Sequence, residues 1–226
     1  MASADIDDAP ARTTPSEASD RPGRRRRWWR PLGMAVMMLL LFAAGYSTRV
    51  LAQVWSTPGD ASAEAGFARD MSAHHAQAVE MALVAWQRAS QPETRTMAYA
   101  TATAQQAQIG MMQTWLSQWH LSPAGSAAPM AWIPGGPRML DLDGRMPGMA
   151  STAELAQLET AQGNQVDVLF CQLMIRHHLG GVHMIDAVLA QSHRSEVLDL
   201  AGNMKASQQA DVTTMQRMLT DLGATP

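Results

Sequence analysis

The sequence predicts an all-α protein: an antiparallel four-helix bundle made of two duplicated αα-hairpins, preceded by an N-terminal transmembrane helix. Three observations lead there. Residues 67–81 read FARDMSAHHAQAVEM and residues 170–184 read FCQLMIRHHLGGVHM, so Phe67, Met71, His74, His75, Val79 and Met81 all recur 103 residues later. The same displacement carries Gln105, Gln106, Ala107, Met112, Gln113 and Leu116 onto Gln208, Gln209, Ala210, Met215, Gln216 and Leu219. A constant offset held over this length marks duplication of one helical unit. Composition agrees: hydrophobic residues make up 46% with 18 Met but only 3 Phe and 2 Tyr, and the abundant Ala, Leu, Met and Gln are strong helix formers. The third observation is one long uncharged apolar run near the N-terminus.

Taken in order, residues 1–30 form a cytoplasmic tail. Its first part is rich in Ala, Ser, Thr, Pro and Asp, without apolar period, and is expected to be disordered. It ends in a basic cluster, Arg24 to Arg27 and Arg30, with Trp28 and Trp29 between. Residues 31–48 follow as a transmembrane anchor; the run LGMAVMMLLLFAAGY carries no charge and, with Ser47 and Thr48, reaches about the shortest length that spans a hydrocarbon core. Arginines on its N-terminal side predict a single-pass cell-membrane protein, N-terminus cytoplasmic and the remainder extracytoplasmic. A cleaved signal peptide is the alternative; the weak Ala-x-Ala-like site and the length of the run favour an uncleaved anchor.

Residues 49–60 read as a linker, and residues 61–222 as the bundle domain. Repeat 1 covers about 61–120, with helices at 61–89 and from a capping-box pattern at Ser90, Pro92 and Glu93 onward. The second helix carries an apolar stripe at Met97, Thr101, Ala104, Met111, Met112, Trp115 and Trp119. Residues 121–150 form a Met-rich loop, read as surface, with Met130, Met139, Met146 and Met149. Repeat 2 covers about 151–222: a short helix opened by a Ser151/Glu154 capping box, then helices at 165–190 and 194–222. The stripe of the last is Leu200, Met204, Ser207, Met215, Met218 and Leu222.

Charge narrows the function. Residues 49–226 hold ten bases against fifteen acids, an acidic balance that argues against nucleic acid as a partner. Cys171 is the one cysteine, so no intramolecular disulfide forms.

The chemistry lies on the repeated helices. Residues three, four and seven apart share a helix face, which aligns Met71, His74, His75, Ala78 and Met81, and again Met174, His177, His178, Gly181 and Met184. Adjacent histidines point about 100° apart, so one faces the bundle interior and the other a helix seam. Imidazole with thioether is a soft donor set that suits Cu(I), and Cu(II) through the imidazoles, better than Mg²⁺ or Ca²⁺. The loop methionines offer exposed thioethers with the same preference. Cys171 reads as a small buried residue and His183 as a surface one. Both partner stripes carry a polar break at the same place, Gln108 and Asp211. Such groups need hydrogen-bond partners, and a facing histidine would have its tautomer set by them. Against this stands the plainer reading, in which methionines fill a core and histidines are hydrogen-bonded packing residues.

The pattern Phe-x3-Met-x2-His-His-x5-Met at Phe67 and Phe170 resembles the domain-of-unknown-function family 305. So do Met146-Pro-Gly-Met149 and the Gln-Gln-Ala helices ending in Trp115-Leu116 and Met218-Leu219. The likeness covers about 61–222. It implies a ferritin-like four-helix bundle, secreted or membrane-anchored in bacteria, with members implicated in copper binding or tolerance. It carries over Met71, His74, His75 and Met81, and Met174, His177, His178 and Met184, as candidate ligands. Two departures stand out: Gln108 where an acidic residue is common, and Gly180-Gly181, expected to loosen the second motif helix. A di-iron carboxylate site needs Glu-x-x-His pairs; none of Glu64, Glu80, Glu93 or Glu196 lies three residues before a histidine. Hydrolase elbows and HExxH zinc motifs are missing too.

The expectation is therefore a membrane-anchored extracytoplasmic copper-binding protein for copper sequestration or tolerance, not an enzyme, its partners a metal ion and the membrane. The alternative is a non-catalytic structural or protein-interaction bundle with no metal.

Overall fold

The computed structural model describes residues 26–225, which hold six α-helices and no strand. The disordered tail expected over residues 1–25 lies outside them. The chain divides after Ser56 into two units. The first is helix α1 (Arg26–Ser56). Within it, Pro31–Val50 is long and apolar enough to cross a membrane, and its large apolar side chains, such as Leu39, Leu41 and Phe42, are exposed. Thr48 folds its hydroxyl back onto the Ala44 carbonyl at 3.0 Å, the usual way a helical threonine is satisfied without water. The helix continues through the first part of the expected linker; between residues 49 and 57 no Pro or Gly interrupts it.

The second unit is the bundle. Helices α2 (Ala63–Arg88) and α3 (Pro92–Gln118) form one hairpin. After the loop and short helix α4 (Thr152–Thr160), α5 (Asn164–Gln191) and α6 (Ser195–Asp221) form the other. The hairpins meet chiefly through α2 and α5. These run antiparallel, because the end of each is tied to the start of the other. Ser192 at the end of α5 donates its hydroxyl to Glu64 at the start of α2, at 2.8 Å. Ser90 beyond the end of α2 donates to Asp167 in the first turn of α5, at 2.6 Å. Glu64 and Asp167 are themselves 103 residues apart, so each copy contributes one latch.

That second latch corrects the capping expectation. Gln91, not Ser90, is the N-cap of α3, and no side chain of its own caps it. Instead the buried Asp167 carboxylate accepts the amides of Ser90 and Gln91, both at 3.0 Å. An anion at a helix N-terminus serves the free amides whichever helix supplies it. Burial alone would raise the Asp167 carboxyl; these hydrogen bonds outweigh it and hold the group below the ordinary carboxylate range. The Ser151/Glu154 capping box forms as expected.

The expected stripes are turned by about one residue. On α3 the buried line is Thr94, Ala98, Thr101, Ala102, Gln105, Ile109, Met112 and Leu116, while Ala104 and Met111 face out. On α6 it is Val197, Ala201, Met204, Gln208, Met215, Met218 and Leu219, with Ser207 outside. Small side chains are buried because the helices approach closely there; the large Trp115 and Leu200 pack at the edges.

The Met-rich loop is also less exposed than expected. Met130 and Met146 are core residues, Met149 is half-buried, and Met139 alone of the four is exposed. Met130 sits at φ 64°, an uncommon conformation for a residue with a Cβ. Its amide donates to Asp70 at 2.7 Å, as does Trp132 Nε1 at 2.8 Å, and its side chain fills the core. The loop is thus pinned into the bundle rather than laid over it.

Helix α5 runs unbroken through Gly180 and Gly181, so the loosening expected there does not occur. A Cβ on Gly180 would lie 2.0 Å from the Pro147 carbonyl oxygen, and one on Gly148 would lie 2.4 Å from the Arg176 carbonyl oxygen. The two glycines let the loop backbone press onto the helix. Gly180→Ala should therefore destabilise the bundle by about 1–3 kcal/mol, the usual range for overpacking. Gly202→Ala, exposed on α6 with nothing within 4 Å of the added Cβ, should stabilise it by about 0.5–1 kcal/mol. Urea unfolding of the two variants checks both the signs and the contrast.

Candidate metal centre

Two apolar clusters fill the bundle, one with Met81, Phe170, Met174 and Met215, the other with Phe67, Met71, Met112 and Met184. A polar belt lies between them: His74, His75, His177 and His178, each at most 1% exposed, with Gln105 and Gln208, 4% exposed. Antiparallel packing of α2 and α5 brings the two copies of the motif head to tail. The rings of His74 and His177 stack with centroids 3.7 Å apart and planes 34° from parallel. His178 lies beside them, 6.3 Å from His177.

Each ring is held by Nε2. His75 Nε2 reaches Gln108 Oε1 at 2.8 Å and His178 Nε2 reaches Asp211 Oδ2 at 3.3 Å, so the two polar breaks face the two seam histidines. His74 Nε2 reaches the Pro147 carbonyl at 3.1 Å and His177 Nε2 the His74 carbonyl at 3.0 Å. All four partners are oxygens that accept, so each Nε2 carries the proton. In a neutral imidazole the other nitrogen then holds a lone pair. On His74, His75 and His178 that atom, Nδ1, is buried and has no hydrogen-bond partner.

Burial keeps His74, His75 and His177 neutral. It draws the His74 pKa down to about 4, more strongly than the bond to Pro147 raises it. Burial and the neighbouring His74 bring His75 to about 3, and burial with the three other imidazoles pushes His177 well below the ordinary value. Neutral imidazole is the form that ligates a metal.

The two copies are not equivalent. On α2, Gln77 clamps the loop in both directions, donating to the Ala150 carbonyl at 3.0 Å and accepting the Ala150 amide at 2.6 Å. Its counterpart on α5 is Gly180, the residue that yields space to Pro147. A Cβ on Gly181 would meet Gln208 Oε1 at 2.9 Å and His74 Cε1 at 3.4 Å; its counterpart is Ala78. Gln77, Pro147 and Gly180 carried no metal-ligand signature in sequence, though MPG spacing before a capping box was visible.

The expected thioethers are core residues: Met71, Met174 and Met184 are fully buried and Met81 is 1% exposed. They bracket the belt, Met71 and Met184 on one side, Met81 and Met174 on the other. Cys171 is buried, and burial with the nearby Asp167 and Glu93 charges pushes its thiol up to about 12, out of the thiolate range that binds metal. His183 is exposed. Among the described residues no three His, Cys, Asp or Glu side chains converge as a preformed cation cluster. What the fold brings together is a set of closely packed imidazole rings, with two thioethers in the apolar cluster on either side.

A family model described as a domain of unknown function (DUF305) matches residues 64–219. The chain belongs to the DUF305 family. Solved structures of two other DUF305 proteins are similar. One from Streptomyces coelicolor is 40% identical with a TM-score of 0.67, covering 74% of this chain and 98% of its own. A fragment from Deinococcus radiodurans is 34% identical with a TM-score of 0.59, covering 70% and 96%. CopM, in its Cu(I)-bound form, is 26% identical with a TM-score of 0.55, covering 71% and 97%; Cu(II)-bound and Ag-bound forms of CopM also match. No curated protein matches.

The buried histidines set a pH dependence for this DUF305 bundle. Unfolded imidazoles protonate near pH 6.5, whereas His74 and His75 stay neutral in the fold down to about 4 and about 3. Below pH 6.5 the unfolded chain therefore binds more protons. Stability is complete above that point and drains away as pH falls, at up to about 1.4 kcal/mol per pH unit for each of His74 and His75. Thermal melts between pH 7.5 and 4.5 should show this slope, and His75→Gln should make it shallower.

Proposed function

We propose that the chain is a membrane-anchored, extracytoplasmic copper-binding protein that sequesters copper or confers tolerance to it, without catalysis. His74, His75, His177 and His178 are the primary ligands, supported by Met71, Met81, Met174 and Met184. Gln108 and Asp211 orient the seam imidazoles, and α1 is the anchor. The observation that carries this reading is the set of three buried Nδ1 atoms without partners. An unsatisfied buried acceptor costs about 1–3 kcal/mol, so three together take up a large share of a domain's stability of about 5–15 kcal/mol. A core selected for stability alone would carry apolar side chains there; a soft cation gives the lone pairs a purpose. Local rules broken at such a cost are expected at functional sites.

The similarity to CopM, whose solved forms hold Cu(I), Cu(II) and Ag, supports soft-metal chemistry for this chain as well. Neutral, tautomer-fixed imidazoles between thioethers suit Cu(I), which is content with few donors, better than cations that demand oxygen shells. The apolar exposed face of α1 and the arginines before it support an anchor with the bundle outside.

A structural bundle without metal is the second reading, favoured by the His74–His177 stack, which forms with every Nε2 already satisfied. Anaerobic Cu(I) titration separates the two. The bundle should bind Cu(I), and a variant with all four histidines changed to Ala should not. At a hundredfold excess over Kd the metal should stabilise the bundle by about 2.7 kcal/mol. Equal stoichiometry in both proteins, or a melting temperature that Cu(I) leaves unmoved, decides for the structural reading.

A further inference from the structure

The four histidines are almost wholly buried, so an ion needs a way in. Along the axis the belt is closed by the two apolar clusters. On the α2/α5 side the loop lies over it, fixed by Gly148, Gly180 and the Gln77 clamp. The α3/α6 side differs. A cavity of about 130 Å³ opens between these helices, lined by Thr101, Gln105 and Gln108 from one copy and Ser207, Gln208 and Asp211 from the other.

Its lining leads directly to the belt. Gln108 and Asp211 hold His75 and His178 by hydrogen bonds, so the cavity wall is one bond from both seam imidazoles. Gln208 Oε1 reaches the notch at Gly181, where the His74 ring also lies. Gln105 Oε1 and Gln208 Oε1 are buried without hydrogen-bond partners. A buried water needs roughly 10–15 Å³ of such space, so the cavity accommodates a cation with part of its hydration shell.

We propose that this cavity is the portal by which a soft monovalent cation, Cu(I) or Ag(I), enters and leaves the histidine belt. The Gln105 and Gln208 carboxamide oxygens and the Asp211 carboxylate are a transient stop on the way. The inference rests on the metal-binding reading above. Oxygen donors are hard and hold such an ion weakly, whereas the nitrogen and sulfur beyond them hold it well. A passage works when binding along it draws the ion in but does not trap it. The Asp211 charge supplies the attraction, and the neutral carboxamides supply replacement for lost water.

The test uses the full chain in detergent micelles, loaded with Cu(I) and mixed with excess bicinchoninate, whose coloured Cu(I) complex reports release. Ala104 and Ser207 are exposed residues on the cavity lining. Ala104→Trp and Ser207→Phe should each slow release at least tenfold while leaving the bound Cu(I) per chain and the helical circular dichroism unchanged. Leu169→Trp, in the groove by α4, should release at the original rate. Release within twofold of the original in both plugged variants overturns the portal, as does a tenfold acceleration by Gln77→Ala with no effect of the plugs. In those cases stoichiometry stays intact and the metal reading survives. If the unaltered chain takes up no Cu(I), both fall together.

Discussion

One hydrogen bond sets the register of the two hairpins: His177 Nε2–H donates to the main-chain carbonyl of His74 at 3.0 Å. A helical carbonyl already accepts one amide and has a second lone pair to offer. Reaching it requires the facing helix to come close, and the small Ala78 and Gly181 permit that approach. Once made, the bond stacks the two inner rings and places the thioethers of opposite copies in the same core cluster. A one-residue slip would turn the outer histidines away from Gln108 and Asp211. The polar belt therefore specifies the packing, while the apolar clusters on either side supply most of its free energy.

Duplication accounts for the frame but not for the finish. The acidic ends of the latches, Glu64 and Asp167, and the seam pairs at Gln108 and Asp211 obey the 103-residue offset, while the latch serines, Ser90 and Ser192, stand 102 apart. The inner histidines do not. His177 bonds to a helix, whereas His74 bonds to the loop through Pro147. The loop can occupy one side of the belt because the counterpart of Gln77 is Gly180, which leaves room for the Pro147 carbonyl. Asymmetry within a repeated frame gives two chemically distinct inner imidazoles, one braced by rigid helix and the other by a segment whose hold depends on two glycines and a glutamine.

Much of this was legible in sequence. The offset and the helical spacing identify the two hairpins, the capping box of α4 and the facing of polar breaks to histidines, because each rests on local periodicity. What stayed hidden is tertiary. Asp167 caps a helix 77 residues away in sequence, and no local pattern distinguishes it from Ser90 as a cap. The loop methionines read as exposed because Pro and Gly surround them; Met130 and Met146 are buried because Asp70 and the glycine contacts draw the backbone inward. The glycines of α5 read as weakness in a helix, whereas their role is to leave room for another segment's carbonyl.

The reciprocal latches have a consequence for assembly. A single hairpin holds both the acidic residue and the serine-bearing turn that a second copy would need, so two half-length chains could pair through the same ties. Such a pair would be symmetric and would lack residues 121–150 altogether. Nothing would then occupy the place of the Pro147 carbonyl, and the two inner imidazoles would have identical surroundings. Fusion into a single chain thus does more than raise local concentration: it makes two identical sites unequal.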